Sequence, residues 1–147
     1  MAETILPAFI HFPKEGAIVG RLLASYGELE LNLCNSVGSV RNDQNMVFKA
    51  MFRPRGETQR IDVADAIGRT SYSDLNLETK FAEAIAGVRY CLKIRNQYAH
   101  CVWHYEDDGM LGFLELEESA KSNKPMEQAS VTIRRLDVLG SRLIQIQ

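Results

Sequence analysis

Two long segments of the chain carry apolar side chains at steps of three and four residues. In the segment from residue 13 to about residue 41, the apolar series is Val19, Leu22, Tyr26, Leu29, Leu33, Val37 and Val40. In the segment from residue 77 to about residue 99, it is Phe81, Ile85, Val88, Leu92 and Ala99. This spacing is typical of an α-helix that packs one face against the rest of a protein. The sequence therefore predicts two long amphipathic helices.

The first long helix also carries a second stripe, made of small residues. Its members are Gly16, Gly20, Ala24, Gly27, Cys34 and Gly38. Each glycine lowers the intrinsic helix propensity by about 1 kcal/mol, so a helix that keeps several of them needs a compensating gain. We expect the stripe to allow a close approach by the backbone of a neighbouring helix.

Shorter elements are predicted before and between the long helices. They are an extended lead-in at residues 1–12, short helices at residues 45–52 and from 58 to about 69, and a polar turn at residues 71–76. Asn42 and Asp43 are typical of a turn and a helix N-cap. The segment Arg53-Pro54-Arg55-Gly56 separates the short helices, because proline and glycine interrupt helical structure.

Beyond residue 100 the period of the apolar pattern changes. Residues 101–117 predict a β-hairpin, with an Asp-Gly turn at residues 106–109. A polar loop is predicted at residues 117–126, and a final amphipathic helix from about residue 132 to residue 146. The predicted fold class is all-α, an antiparallel helical bundle with a small β-hairpin at about 101–117, in a single domain of residues 1–147.

Composition narrows the class of protein. The chain has 147 residues and a formal net charge of −2, so no global basic field attracts a nucleic acid. Its cysteines, Cys34, Cys91 and Cys101, are odd in number and lack a CxxC pair, which fits reduced thiols in a cytoplasmic protein. No signal pattern and no apolar run of membrane-spanning length is present. No metal or cofactor motif is found, so none is expected.

Two charged residues lie in apolar sectors of the long helices. Arg95 falls inside the arc of Phe81, Ile85 and the residues that follow them, and Glu30 falls between the two stripes of the first helix. A guanidinium does not deprotonate, and a buried carboxylate needs a partner. One interpretation is therefore an ion pair between Glu30 and Arg95 that joins the two long helices.

The residues that follow Arg95 suggest chemistry. Asn96 and His100 are four residues apart and share one side of the helix. Arg95 and His100 are five apart, so on a straight helix their directions diverge by about 140°. If both act on one small group, the helix has to end near His100, or a second copy of the chain has to complete the site.

The segment Arg95-Asn96-Gln97-Tyr98-Ala99-His100 resembles the signature of the HEPN (higher eukaryotes and prokaryotes nucleotide-binding) superfamily. That signature is an arginine, a polar residue, a few further residues and a histidine at the end of a long helix. The order of the predicted helices is also similar to that of the family. Only these six residues match a motif.

The resemblance implies a metal-independent endoribonuclease that dimerises, with its motif helices facing each other. His100 would act as a general base on a ribose 2′-hydroxyl or as an acid on the leaving oxygen. Arg95 would hold the scissile phosphate through two parallel hydrogen bonds, and Asn96 would orient either His100 or the phosphate. The resemblance also suggests a role in toxin–antitoxin or phage-defence systems.

Other interpretations of these residues remain open. The second hypothesis, after the ribonuclease, is an inactive interaction domain of the same fold that forms a dimer or binds a partner such as a nucleotidyltransferase-like antitoxin. Tyr98 is expected to be structural, and Trp103 is either a lid over the helix end or a platform for a base. The most basic stretch offers candidate RNA contacts, although a solvated surface explains it as well; these candidates are Lys49, Arg53, Arg55 and Arg60.

Overall fold

The structure is a computed structural model that describes residues 8–105, 111–121 and 131–132. Its helices are α1 (Ala8–His11), α2 (Pro13–Arg41), α3 (Gln44–Phe52), α4 (Glu57–Asp74), α5 (Glu78–Ala99) and α6 (Leu116–Lys121). Its strands are β1 (Cys101–Tyr105), β2 (Leu111–Glu115) and β3 (Val131–Thr132). The predicted fold class, a helical bundle with a small β-hairpin, is confirmed.

Four differences from the sequence-based expectations go beyond a shift of one residue at the end of an element. The lead-in contains the short helix α1, α4 continues to Asp74 where a turn was expected from residue 71, and α6 occupies the start of the expected polar loop. Thr132, the expected start of the last helix, lies in β3. The remainder of that helix, the Asp-Gly turn of the hairpin and residues 1–7 lie outside the described residues.

Two asparagines end the helices that precede turns. Asn42, after α2, has φ 52°, and Asn76, after α4, has φ 57°. Asparagine adopts this left-handed conformation more readily than most residues, which makes it suitable at a helix end. After Asn42, the Asp43 side chain accepts a hydrogen bond from the Met46 amide at 3.0 Å and caps α3, as the sequence predicted.

The contacts divide the chain into two compact units, one of residues 24–95 and one of residues 1–23 with 96–147. In the unit of residues 24–95, α4 packs against both α2 and α5. A Cβ atom added at Gly68 of α4 would lie 2.6 Å from Phe81 Cζ of α5 and 3.2 Å from Val37 Cγ2 of α2. The Tyr72 ring of α4 stacks on Phe81 with ring centroids 4.3 Å apart. This stacking explains why α4 extends beyond the predicted end.

The close approach expected along the small-residue stripe of α2 is absent at Gly20 and Gly27 among the described residues. A Cβ atom added at Gly20 or Gly27 would meet none of the described atoms within 4 Å. At Gly38 such an atom would overlap the Gln44 side chain and lie 3.1 Å from Gln44 Cα. At Gly38 the approaching backbone is the start of α3, so this end of the stripe meets the expected close approach.

The other unit, of residues 1–23 and 96–147, contains an antiparallel sheet with strand order β1-β2-β3. Trp103 of β1 pairs in register with Phe113 of β2, and their ring centroids are 5.3 Å apart. Phe9 of α1 and Tyr98 of α5 also contact the Trp103 ring, at 5.2 and 6.0 Å. These four rings form an aromatic core in the described part of this unit. Among the described residues, no helix combines the length and the apolar character needed to cross a bilayer.

Candidate functional site

Five ionisable or polar side chains meet within the helical unit of residues 24–95. We refer to them as the charged cluster, and they are Tyr26, Glu30, Glu57, Arg60 and Arg95. The first two lie one turn apart on the buried face of α2, the next two lie in the first turn of α4, and the last lies on α5. The cluster contains two arginines and two glutamates, so its formal charge is balanced.

The inner pair of the cluster joins Glu30 to Arg60. Arg60 Nη1 lies 3.0 Å from Glu30 Oε2, and the Glu30 side chain is only 6% exposed. Burial of a carboxylate is unfavourable unless a charged partner and hydrogen bonds compensate for the lost water. Arg60 supplies both, so the pair connects α2 to α4 in the interior of this unit.

Arg60 also holds the turn between α3 and α4. Its Nε donates to the Pro54 carbonyl at 3.2 Å and its Nη2 to the Arg55 carbonyl at 3.5 Å. Its guanidinium carbon lies 5.4 Å from the centroid of the Phe52 ring, within the range of a cation–π contact. All three guanidinium nitrogens are therefore engaged with the protein, and Arg60 fixes the segment that carries Arg53 and Arg55.

The outer pair of the cluster joins Arg95 to Glu57. Arg95 Nη1 lies 3.4 Å from Glu57 Oε1, and the two side chains are 27% and 31% exposed. The guanidinium carbon of Arg95 is also 5.9 Å from the centroid of the Tyr26 ring. Arg95 therefore faces inward, as its place in the apolar arc predicted, while its charged end remains within reach of solvent.

Burial controls the protonation of the two α2 residues. Desolvation raises the pKa of Glu30, and the hydrogen bond and charge of Arg60 oppose that rise only in part. Desolvation also raises the pKa of Tyr26, and the charges of Glu30 and Glu57 add to the effect. Among the described residues, neither the Tyr26 hydroxyl nor Glu30 Oε1 has a hydrogen-bond partner, although both atoms are buried. Tyr26 therefore stays neutral, and Glu30 bears an incompletely compensated charge.

The predicted ion pair between Glu30 and Arg95 is wrong, because each of these residues pairs with a different partner. Glu30 pairs with Arg60, and Arg95 pairs with Glu57, although the charge of Arg95 still acts on Glu30. Both new partners come from α4, which packs between the helices that the sequence pattern was expected to join. A signal for them does exist, because Glu57 lies four residues before Ile61 and Arg60 lies four residues before Ala64, so each continues the arc of a buried apolar residue.

The motif residues lie in the last turns of α5 and directly after it. Arg95 belongs to the helical unit, whereas Asn96 and His100 belong to the other. Helix α5 ends at Ala99, which is one of the two alternatives that the spacing of Arg95 and His100 left open, and the amide of His100 donates to the Asn96 carbonyl at 3.0 Å. The His100 side chain is exposed. An imidazole in this position is accessible to a substrate.

Tyr98 and Trp103 belong to the aromatic core of their unit. Tyr98 is buried, and its ring centroid lies 5.4 Å from that of Phe113. Trp103 stacks on Tyr98 in the last turn of α5, as a lid over the helix end would. Nearby, burial raises the pKa of the Cys101 thiol to about 11, so this cysteine is protonated at neutral pH.

The basic candidates on α3 and the following turn differ in their surroundings. Lys49, Arg53 and Arg55 are exposed, whereas Arg60 is engaged by the contacts described above. Lys49, Arg53 and Arg55 can therefore contact a polyanion directly. Arg60 contributes to such binding only by holding the turn that carries Arg53 and Arg55. Within the described part of the chain, no group of three or more His, Cys, Asp or Glu side chains is arranged to hold a metal ion.

The fold and the site define a mostly helical protein with a balanced charged cluster in one unit and an exposed histidine at a helix end in the other. The chain matches no protein-family model, and neither a curated protein nor a solved structure is significantly similar to it.

Proposed function

We propose that this protein is a HEPN-like, metal-independent endoribonuclease that acts as a homodimer through Arg95, Asn96 and His100. The single observation that best supports the proposal is the position of His100, which is exposed directly after the last residue of α5. A catalytic histidine has to reach the proton that it transfers, and an exposed imidazole on a rigid helix end meets that requirement.

The proposed reaction is attack of a ribose 2′-hydroxyl on the adjacent phosphodiester. His100 of one copy removes the hydroxyl proton, and His100 of the other copy protonates the 5′-oxygen as its bond to phosphorus breaks. The products are a 2′,3′-cyclic phosphate and a 5′-hydroxyl. Arg95 stabilises the additional negative charge on the phosphate oxygens in the transition state, and Asn96 orients His100 or the phosphate.

The exposed basic side chains of the α3–α4 region support an RNA substrate. Lys49, Arg53 and Arg55 present positive charge to solvent within a short stretch of the helical unit. Contacts of this kind attract the phosphate backbone without reading the base sequence. We further propose a cytoplasmic location, which is supported by the free thiols of the three cysteines.

The test is cleavage of single-stranded RNA by the purified protein in the presence of a chelator. We expect His100→Ala and Arg95→Gln each to reduce the cleavage rate by at least about a hundredfold, since each removes a group that acts in the transition state. Arg89→Gln is the matched control, because Arg89 is also on α5 and also forms an ion pair with an α4 carboxylate.

Cleavage at the wild-type rate by both His100→Ala and Arg95→Gln would show that these residues are not catalytic. A product that ends in a 3′-phosphate without a cyclic intermediate would rule out attack by the 2′-hydroxyl. Loss of activity in Arg89→Gln to the same extent as in Arg95→Gln would assign the loss to folding.

One observation favours a second candidate function, an inactive interaction domain. Both arginines of the charged cluster are paired with glutamates of the same chain, so the cluster presents no net positive charge to RNA. In that case the end of α5 would contribute to a dimer or bind a protein partner such as a nucleotidyltransferase-like antitoxin. Absence of RNA cleavage together with a change in oligomeric state in His100→Ala would favour this function over the first.

A further inference from the structure

The two ion pairs of the charged cluster differ in how firmly they hold their arginine. The Arg60–Glu30 pair is short, and its carboxylate is almost fully buried. The Arg95–Glu57 pair is 3.4 Å long, and both of its side chains are more than a quarter exposed. Solvent screens an exposed pair, so its contribution is small and its partners separate readily.

In the outer pair, Glu57 contacts the guanidinium of Arg95, which the proposed reaction needs for binding a phosphate. A guanidinium that is to hold a phosphate has to turn its N–H groups to the phosphate oxygens. Arg95 Nη1 faces Glu57 Oε1 instead, and a phosphate that arrives there meets a carboxylate of the same sign. Phosphate and Glu57 therefore compete for Arg95.

We infer that Glu57 is a built-in competitor that closes an oxyanion site at Arg95, and that a phosphate group opens the site by displacing the Glu57 carboxylate. The inference rests on the proposed function in one respect, because the phosphate that displaces Glu57 is taken to be that of an RNA substrate. It adds an autoinhibitory contact: the resting protein holds Arg95 in a neutral pair, and binding requires that pair to separate.

The position of the pair fits an exchange of partners. Glu57 lies at the start of α4, directly after the turn that Arg60 holds through the Pro54 and Arg55 carbonyls. Arg60 therefore holds the backbone next to Glu57 through bonds that do not involve the Glu57 side chain. The carboxylate can move away from Arg95 without loss of the Arg60 contacts.

The experiment is a titration of the 147-residue protein with inorganic phosphate at low salt, in which NMR chemical shifts report binding. Glu57→Gln removes the competing charge and keeps the size of the side chain. We expect phosphate to bind this variant about two- to fivefold more tightly than the wild type, which corresponds to the strength of an exposed ion pair. Glu57→Asp, with a shorter side chain, is expected to lie between the two.

Asp62→Asn is the matched control. Asp62 is also on α4, and its Oδ1 lies 2.8 Å from Arg89 Nη1 of α5. Both substitutions raise the formal net charge from −2 to −1, so they share any general effect of charge. We expect Asp62→Asn to leave phosphate affinity nearly unchanged, and Glu57→Gln to lose its gain when Arg95→Gln is added.

Three results would overturn the inference: equal affinity in Glu57→Gln and the wild type, an equal gain in Asp62→Asn, or a gain that persists without Arg95. Absence of phosphate binding in every variant gives the first of these. The RNA cleavage assay separates this outcome from a failure of the proposed function. If Glu57→Gln binds phosphate more tightly but the protein does not cleave RNA, the inference about Glu57 stands and the ribonuclease proposal is rejected. If the protein cleaves RNA but Glu57→Gln binds phosphate no more tightly, the ribonuclease proposal stands and the inference about Glu57 is rejected.

Discussion

The inner and outer ion pairs of the charged cluster use the same two residue types for different purposes. Arg60 reaches a carboxylate that is 6% exposed, and it donates to two backbone carbonyls as well. Arg95 reaches a carboxylate that is 31% exposed, across a longer distance. A buried pair leaves an uncompensated charge when it breaks, whereas in a partly exposed pair water can solvate the charged ends of both side chains. We therefore assign the inner pair to stability and the outer pair to binding.

The largest effect is expected from breaking the inner pair. Arg60→Met would leave the Glu30 carboxylate buried without its partner and would release the Pro54 and Arg55 carbonyls. We expect a loss of about 2–4 kcal/mol in the free energy of unfolding, the lower part of this range reflecting the partial exposure of Arg60. Urea denaturation measures it.

The control for this variant is Arg69→Met, on the same helix. Arg69 is half exposed and pairs with Asp65 one turn away at 2.7 Å. Surface pairs of this type contribute less than about 1 kcal/mol. Equal losses in Arg60→Met and Arg69→Met would contradict the assignment of the inner pair to stability.

A smaller effect is expected from removing the buried charge and keeping the shape. Glu30→Gln can still accept the hydrogen bond from Arg60, and it avoids the desolvation that raises the pKa of Glu30. We expect the free energy of unfolding to change by less than about 1 kcal/mol at neutral pH. The two substitutions at the inner pair should therefore differ strongly, although each removes one charge.

The Glu30→Gln variant also tests how the stability of the protein depends on pH. Because the pKa of Glu30 is raised in the folded protein, the folded state binds that proton more tightly than the unfolded chain does. Ionised Glu30 reduces stability above the raised pKa, and the reduction disappears as pH falls through it. The wild type should therefore gain stability relative to Glu30→Gln on acidification from neutral pH. A relative loss would show that Arg60 outweighs burial.

The smallest effect is expected at the Tyr26 hydroxyl. This group is buried and has no hydrogen-bond partner among the described residues, so its removal breaks no observed bond. Tyr26→Phe retains the ring that lies near Arg95, and we expect the free energy of unfolding to stay within about 0.5 kcal/mol of the wild-type value. A loss above about 1.5 kcal/mol would indicate that the hydroxyl makes a hydrogen bond.

The long elements could be predicted from the sequence because apolar residues recur in each of them with the period of a helix or a strand. The bounds of α2 and the end of α5 at Ala99 were predicted, and so were the β-hairpin and the inward direction of Arg95. A wheel gives the direction of a side chain on its own helix. It does not give the register between helices, so it could not identify Arg60 as the partner of Glu30.

The remaining errors have the same origin in tertiary packing. The last turn of α4 is polar in sequence, yet Tyr72 stacks on Phe81 and keeps it helical. The glycines of α2 were expected to face the backbone of a neighbouring helix, but within the described structure no such neighbour lies at Gly20 or Gly27. Helix α1 has only four residues, too few for a period to be recognised.

The most direct test of the difference between the two pairs is a pair of double-mutant cycles measured by urea denaturation. One cycle combines Glu30→Gln with Arg60→Gln, and the other combines Glu57→Gln with Arg95→Gln. We predict a coupling free energy above about 2 kcal/mol for the inner pair and below about 1 kcal/mol for the outer pair. An outer coupling equal to or larger than the inner one would show that Arg95 serves the fold, and would contradict the account.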